Sequence, residues 1–318
     1  MTRNMIRLGL VGAGRWGRRL IKTIRSIEGA SLALVASRNP ATASYAPEAR
    51  IVSDWRELLA ADLDAAIIAT PPGLHGPMVR AFVQSRIPSM VEKPLCLDLA
   101  EANELNDFVR ASGVPVMVDH TQLFHPAWNV LKRRAEELGP VRFVRSEGMG
   151  YGPFRPDLPV LWDWTPHDVS LCIDLFGAIP ERVSALGSED SVDVRMEFEG
   201  GTTAHIANSN VSVEKRRSFA VYADRHVLVL DDRSVPNLVE HQPRPDPLDG
   251  GAVLGPPTAL PVPEGMPLTR ALEHFVEGVS GGDRSRFGLE LATDVVRTLD
   301  AAQVSMDRAG TQALLEPA

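Results

Sequence analysis

Cysteine is almost missing from this chain of 318 residues, which has only Cys96 and Cys172. Two thiols cannot build a disulfide framework or a cysteine-based zinc site, so both are read as buried thiols. Positive charge is also in deficit. With 33 Lys and Arg against 41 Asp and Glu, the formal net charge is −8, which argues against a partner that is nucleic acid or an anionic membrane surface. No unbroken apolar run approaches the roughly 18 residues of a membrane span. The opening MTRNMIRLGLVGAG leads directly into a strand, without a long apolar segment or a small-residue cleavage site, so a cytoplasmic location is expected. Histidines and acids are scattered without ligand spacing, and no metal site is expected.

What the sequence does contain is ordinary for a folded protein. Hydrophobic residues make up 44% and charged residues 23%, which excludes disordered and fibrous classes. The length exceeds one hydrophobic core, so two domains with a site between them are the natural expectation. Through residue 119, apolar strand runs (IRLGLVG, SLALVAS, AAIIAT, PSMVEKP, VPVMVDH) alternate with helical segments, as in a doubly wound parallel sheet covered on both faces. From residue 120 onward, a helix at about 126–138, the run VRFVRSEGMG and a helix at about 166–176 precede several strands with alternating polarity. That pattern predicts an α/β domain with a large, mostly antiparallel sheet. An exposed sheet face in it points to a homodimer or homotetramer. Residues 235–267, rich in Pro and Gly, read as an irregular loop, and helices at about 269–279 and 289–307 close the chain.

Gly12-Ala13-Gly14-Arg15-Trp16-Gly17 follows the first strand and opens a helix. In that setting GxGxxG lets backbone N–H groups and the helix dipole face a pyrophosphate. About twenty residues on, where an NAD site usually places a carboxylate on the ribose, stand Ser37 and Arg38. A hydroxyl and a guanidinium suit a 2′-phosphate, so NADP is expected over NAD.

Two later segments carry ionisable groups. Glu92 and Lys93 form a charged pair immediately after the apolar strand residues Met90 and Val91, where burial can lower the lysine's proton affinity and suit it to acid–base work. In WDWTPHD, Thr165 is expected as the N-cap and Pro166 as the first helical residue, which puts His167 in the first turn with Asp163 just upstream. Histidine is the side chain best matched to taking a carbinol proton near neutral pH, and Asp163 and Lys93 can bind hydroxyls. His120 and His125 read as helix-start or packing residues in preference to catalytic ones, and Tyr151 and Arg155 as loop residues in preference to substrate contacts.

The order GAGRWG, ATPPGLHG, EKPL and the pair Asp163 and His167 resembles the Gfo/Idh/MocA oxidoreductases, the glucose-fructose oxidoreductase and inositol dehydrogenase family, over almost the whole chain. The resemblance implies a Rossmann domain (1–119), a substrate-binding and oligomerisation α/β domain (120–318), and NAD(P)-dependent redox chemistry on sugars, inositols or nucleotide sugars. It implies Lys93 as the catalytic lysine, His167 as the acid–base residue and Asp163 as its carbohydrate-binding companion, with Thr70, Pro71, His75, Glu92 and Lys93 itself lining the cofactor. DHTQLFHPAW looks most like a nucleotide-sugar branch, although Thr121, Gln122 and Leu123 stand where many members carry Asn and Arg. An NAD-assisted glycoside hydrolase or lyase would share every motif. A non-catalytic dinucleotide-binding regulator is disfavoured by Lys93, Asp163 and His167 occurring together.

Overall fold

Short apolar runs near the N-terminus become the strands of one parallel sheet: β1 (Ile6–Val11), β2 (Ala30–Ala36), β3 (Arg50–Val52), β4 (Ala65–Ile68), β5 (Ser89–Glu92) and β6 (Val116–Asp119). Their order, β3-β2-β1-β4-β5-β6, reverses direction between β1 and β4, the switch point at which doubly wound sheets bind ligands. These strands belong to a computed structural model that describes residues 5–245 and 251–315. Residues 1–4, part of the segment from which a leaderless start is read, and 246–250 lie outside it. Covering the sheet are α1 (Arg15–Ile24), α2 (Thr42–Tyr45), α3 (His75–Gln84) and α4 (Leu99–Ser112). The Asp98 carboxylate accepts from Glu101 N at 2.8 Å to start α4, and Gly113 ends it at φ 68°, a left-handed cap that glycine adopts without a Cβ penalty. β3 was not expected from sequence. Its three residues form an edge pairing only with β2, too short for a period to show.

The second unit starts at His125. α5 (Pro126–Leu138), β7 (Val141–Tyr151), α6 (Val160–Asp163) and α7 (Thr165–Phe176) are followed by β8 (Arg182–Gly187), β9 (Ser191–Glu197), β10 (Thr203–Ser209), β11 (Val211–Ala223) and β12 (His226–Asp231). Then come β13 (Leu238–His241), β14 (Pro243–Pro245), β15 (Ala252–Leu254) and β16 (Thr258–Ala259). A nine-stranded sheet results, in the order β16-β13-β12-β11-β7-β10-β9-β8-β17, where β17 is Ala313–Leu314. It is antiparallel except for β10 against β7. Alternation is clean: Val192, Val194 and Met196 are buried, while Arg145, Glu147, Asp193 and Arg195 point the other way among Phe143 and Tyr222. That outer face is mixed rather than broadly apolar.

The expected loop at 235–267 is corrected in its described part. β13 and β16 extend the large sheet and β14 pairs with β15. Leu238 is fully buried, and Glu240 is 2% exposed because Arg134 and His226 hold its carboxylate at 2.8 and 2.7 Å. Partners across the sheet, not local periodicity, specify these strands.

α8 (Pro267–Val279) belongs with the first unit, which comprises residues up to Phe124 together with Met266–Val296. Leu272, Phe275 and Val276 join the core of Leu8, Leu10, Leu20, Ile24 and Val35. α9 (Glu290–Asp307) follows, and its residues from Arg297 onward belong with the second unit.

Candidate functional site

The glycine-rich turn is shaped by two steric constraints and one opening. Gly12 has φ +95°, and a Cβ there would lie 2.5 Å from Ala69 O. At Gly17 it would lie 2.2 Å from Gly12 O. Gly14 is different, since a Cβ would meet nothing within 4 Å. It caps α1 with no side-chain hydrogen bond and no acid in the first turn, so uncapped N–H groups of the helix start face open space. This cradle fits a pyrophosphate. Arg15 is exposed beside it and Trp16 half-buried.

The distinction is testable. Gly14→Ala, at φ −69°, is expected to melt like the wild type but bind dinucleotide more weakly. Gly17→Ala is expected to lower the melting temperature, because overpacking of backbone costs roughly 1–3 kcal/mol. Paired thermal melts and fluorescence titrations check this, and the reverse pattern would contradict it.

At the end of β2, Ser37 Oγ accepts from Thr42 Oγ1 at 2.8 Å. Tyr45 OH donates to Ala13 O at 3.1 Å and tethers this segment to the glycine turn. Arg38 is exposed, and no carboxylate occupies the end of β2.

Along the same sheet edge lie the loops after β4 and β5. Thr70 is half-buried and Pro71 exposed. His75 is fully buried, with ring nitrogens 2.9 Å from Pro94 O and 2.9 Å from Thr70 O. It thus links the two loops through their backbones. Burial holds its pKa below the ordinary value, so the ring is neutral and only one of the two nitrogens donates at a time.

Lys93 is half-buried, and its charge acts on His75, Glu92, Asp119 and His120. Glu92, 8% exposed, accepts from the Trp16 indole, so the glycine-rich turn and the lysine loop are tied together. Asp119 stands opposite Glu92 in the β5–β6 register. The strand VMVD signalled Asp119 as an acid ending an apolar run, yet sequence reasoning gave it no role.

In the second unit, the first turn of α7 carries His167 as expected, but Thr165 is not its cap. Trp164 is helical at φ −100°, ψ −43°, so α6 runs on into α7 and Thr165 is the first residue of the new helix. Asp163 and His167 are therefore four residues apart along nearly continuous helical turns, a spacing that puts side chains on one face. Arg155 Nη1 lies 3.4 Å from Asp163 Oδ1 and Nη2 3.1 Å from Asp157, so this arginine, expected as a loop residue, reaches the candidate site. Tyr151 stays exposed, edge-on to Phe154. His125 does start a helix: its Nδ1 accepts from Ala127 N at 3.0 Å.

Asp168, next to His167, is fully buried. Its carboxylate accepts from Ser146 Oγ at 2.6 Å, Asn208 Nδ2 at 2.9 Å and Arg217 Nη1 at 2.9 Å. This network, absent from the sequence reading, pins the start of α7 to β7, β10 and β11. Among the described residues no group of His, Cys, Asp and Glu could hold a metal ion, and no helix is long and apolar enough to cross a membrane.

Two family models match the chain. The oxidoreductase family model with an NAD-binding Rossmann fold covers residues 6–120, and the GFO/IDH/MocA C-terminal domain model covers 133–229. The chain is a Gfo/Idh/MocA oxidoreductase. Among relatives of this oxidoreductase, UDP-N-acetylglucosamine 3-dehydrogenase of Acidithiobacillus ferrooxidans is 28% identical over 70% of the chain and 74% of the relative. D-xylose 1-dehydrogenase (NADP(+)) 2 of Haloferax volcanii is 30% identical over 94% and 97%. A crystal structure of a provisionally assigned oxidoreductase from Magnetospirillum magnetotacticum MS-1 superposes with TM-score 0.85 at 42% identity, covering 93% of this chain and 99% of the other. The Gfo/Idh/MocA chain is therefore an NAD(P)-dependent dehydrogenase built on an α/β fold.

Proposed function

We propose that this dehydrogenase moves a hydride between nicotinamide C4 and a carbinol or ketone carbon of a sugar, inositol or nucleotide sugar, with NADP(H) preferred over NAD(H). The observation that carries the reading is Lys93 at the carboxyl end of β5, on the same sheet edge as the open backbone cradle at Gly14. The relatives' names, which span sugar, inositol and nucleotide-sugar dehydrogenases, support the substrate class.

Bound nicotinamide supplies the hydride acceptor or donor. Gly12, Gly14, Arg15, Trp16 and Gly17 hold the pyrophosphate, Ser37 and Arg38 the adenosine end, and the loops of Thr70, Pro71, His75 and Glu92 the nicotinamide side. His167 exchanges the hydroxyl proton, Lys93 stabilises the developing oxyanion, and Asp163 binds hydroxyls and orients the ring. The outer face of the nine-stranded sheet serves a homodimer or homotetramer, and a monomeric mass in light scattering would contradict that.

The function is tested by incubating wild-type protein and His167→Ala with a panel of sugars, inositols and nucleotide sugars and either oxidised dinucleotide. At least one class should yield reduced nicotinamide with the wild type and far less with the variant. Equal yields would remove His167 from the reaction. The cofactor preference is tested separately by fluorescence titration with NADPH and NADH. Arg38→Ala is expected to lose about tenfold or more in NADPH affinity, the scale of one charge-assisted contact of about 1.5–3 kcal/mol, with little change for NADH. Parallel losses would make Arg38 an adenine cover only.

A further inference from the structure

Beneath Lys93 lie two carboxyl groups with too few donors between them. Glu92 and Asp119 are direct neighbours across the parallel pair β5–β6, so their side chains leave the same face of the sheet. Both are buried, at 8% and 0% exposed. Glu92 accepts from the Trp16 indole, and Asp119 Oδ1 accepts from Thr121 Oγ1 at 3.0 Å. Asp119 Oδ2 is buried with no donor among the described residues, although the two carboxyls are within hydrogen-bonding reach of each other. Two adjacent carboxylates cannot hydrogen-bond to each other while both are ionised.

Lys93 from the β5 loop is the charged side chain that acts on both members of the pair, and it also acts on His75 at the start of α3. His120 follows β6, and Arg286 acts on it from the segment before α9. His120 and Arg286 border a cavity of about 190 Å³ together with Glu290. Burial keeps His120 neutral by pushing its pKa down to about 3, so it adds no positive charge here, and Lys93 is the cation whose charge acts on both carboxylates.

We propose that Asp119 and Glu92 form a dyad that holds one proton at neutral pH, and that Asp119 is thereby a positioning residue for Lys93, presenting it with one negative charge rather than two. The inference rests on the proposed role of Lys93. Proton sharing gives Asp119 Oδ2 its missing partner, and it is how like charges in one buried site are usually resolved. The electrostatics of the site point the same way: burial and then the Asp119 charge push Glu92 well above the usual carboxylate range, and burial lifts Asp119 to about 6. The dyad titrates as a unit, with the proton chiefly on Glu92.

The test is infrared spectroscopy of the full-length protein across pH. Wild type should show the C=O stretch of a protonated carboxylic acid at neutral pH. Glu92→Gln should abolish the band, assigning it. Asp119→Asn keeps a polar amide for Thr121 and is isosteric, and it should lower the band's pH midpoint by about one unit or more, about tenfold in proton affinity. An absent band in wild type, or a midpoint unmoved by Asp119→Asn, overturns the dyad. The pH profile of kcat should have an inflection that moves with the band, and a profile that stays fixed while the band moves overturns the positioning role. The infrared signal needs no turnover, so unimpaired turnover in a Lys93 variant would sink the catalytic reading while leaving the shared proton standing.

Discussion

Lys93→Met is expected to cut kcat by roughly 10²–10⁴-fold, the range for a removed acid–base or oxyanion-stabilising group, while dinucleotide affinity changes little. The reasoning is spatial. Lys93 ends β5 and its charge acts on a buried polar cluster of His75, Glu92, Asp119 and His120, whereas the pyrophosphate cradle is made by Gly12 to Gly17 and needs no lysine. Methionine keeps the apolar stem and removes only the ammonium, so folding should survive. Stopped-flow turnover together with a fluorescence titration of NADPH separates the two effects. A variant that loses binding and rate in equal measure would place Lys93 in the cofactor site alone, and one that keeps full turnover would remove it from the reaction.

Asp168→Ala is expected to lower stability by about 3–5 kcal/mol, the cost of removing one partner from a buried ion pair. Arg217, Asn208 and Ser146 all aim donors at this one fully buried carboxylate; alanine would strip Arg217 of this ion pair and leave Asn208 and Ser146 only their longer contacts to Thr165 Oγ1 at 3.1 Å and Ser218 O at 3.3 Å. At about 2–4 °C per kcal/mol for units of this size, the melting temperature should drop on the order of 10 °C. Asp168→Asn keeps one acceptor oxygen but turns an N–H₂ toward donors, so an intermediate loss is expected. Calorimetric melts within about 2 °C of the wild type for Asp168→Ala would mean the network is solvated and redundant. Because His167 is the adjacent residue, activity should fall in the surviving folded fraction as well.

Much of the fold could be read from local chemistry. The glycine turn after IRLGLV, the strand–helix alternation and the start of α5 at Pro126 all depend on residues within a few positions of one another. Other features depend on distant partners. α8 is amphipathic wherever it packs, and nothing in PLTRALEHFVEGV says that Leu272 and Phe275 complete the core around Leu8 and Leu20. β13 hides in a Pro- and Gly-rich stretch because pairing with β12 and the Arg134–Glu240 contact define it. Thr165 looked like a cap because the sequence does not show that α6 already supplies a helical turn ahead of it. At the site, Lys93, Asp163 and His167 were visible as ionisable residues near element ends. Asp119 and Asp168 were not, because each gains its meaning from a neighbour across a sheet: Glu92 for one, and Arg217 with Asn208 for the other.

The most direct test of nicotinamide-dependent oxidation of a sugar-like carbon is a stoichiometry measurement. Once a substrate is found, product and reduced nicotinamide are counted together over a full time course with excess oxidised dinucleotide. Hydride transfer as the net reaction predicts one reduced nicotinamide for each oxidised product molecule. Product accumulating with no net change in the nicotinamide would contradict it, and would mean that the same residues serve a transient oxidation within hydrolysis or elimination.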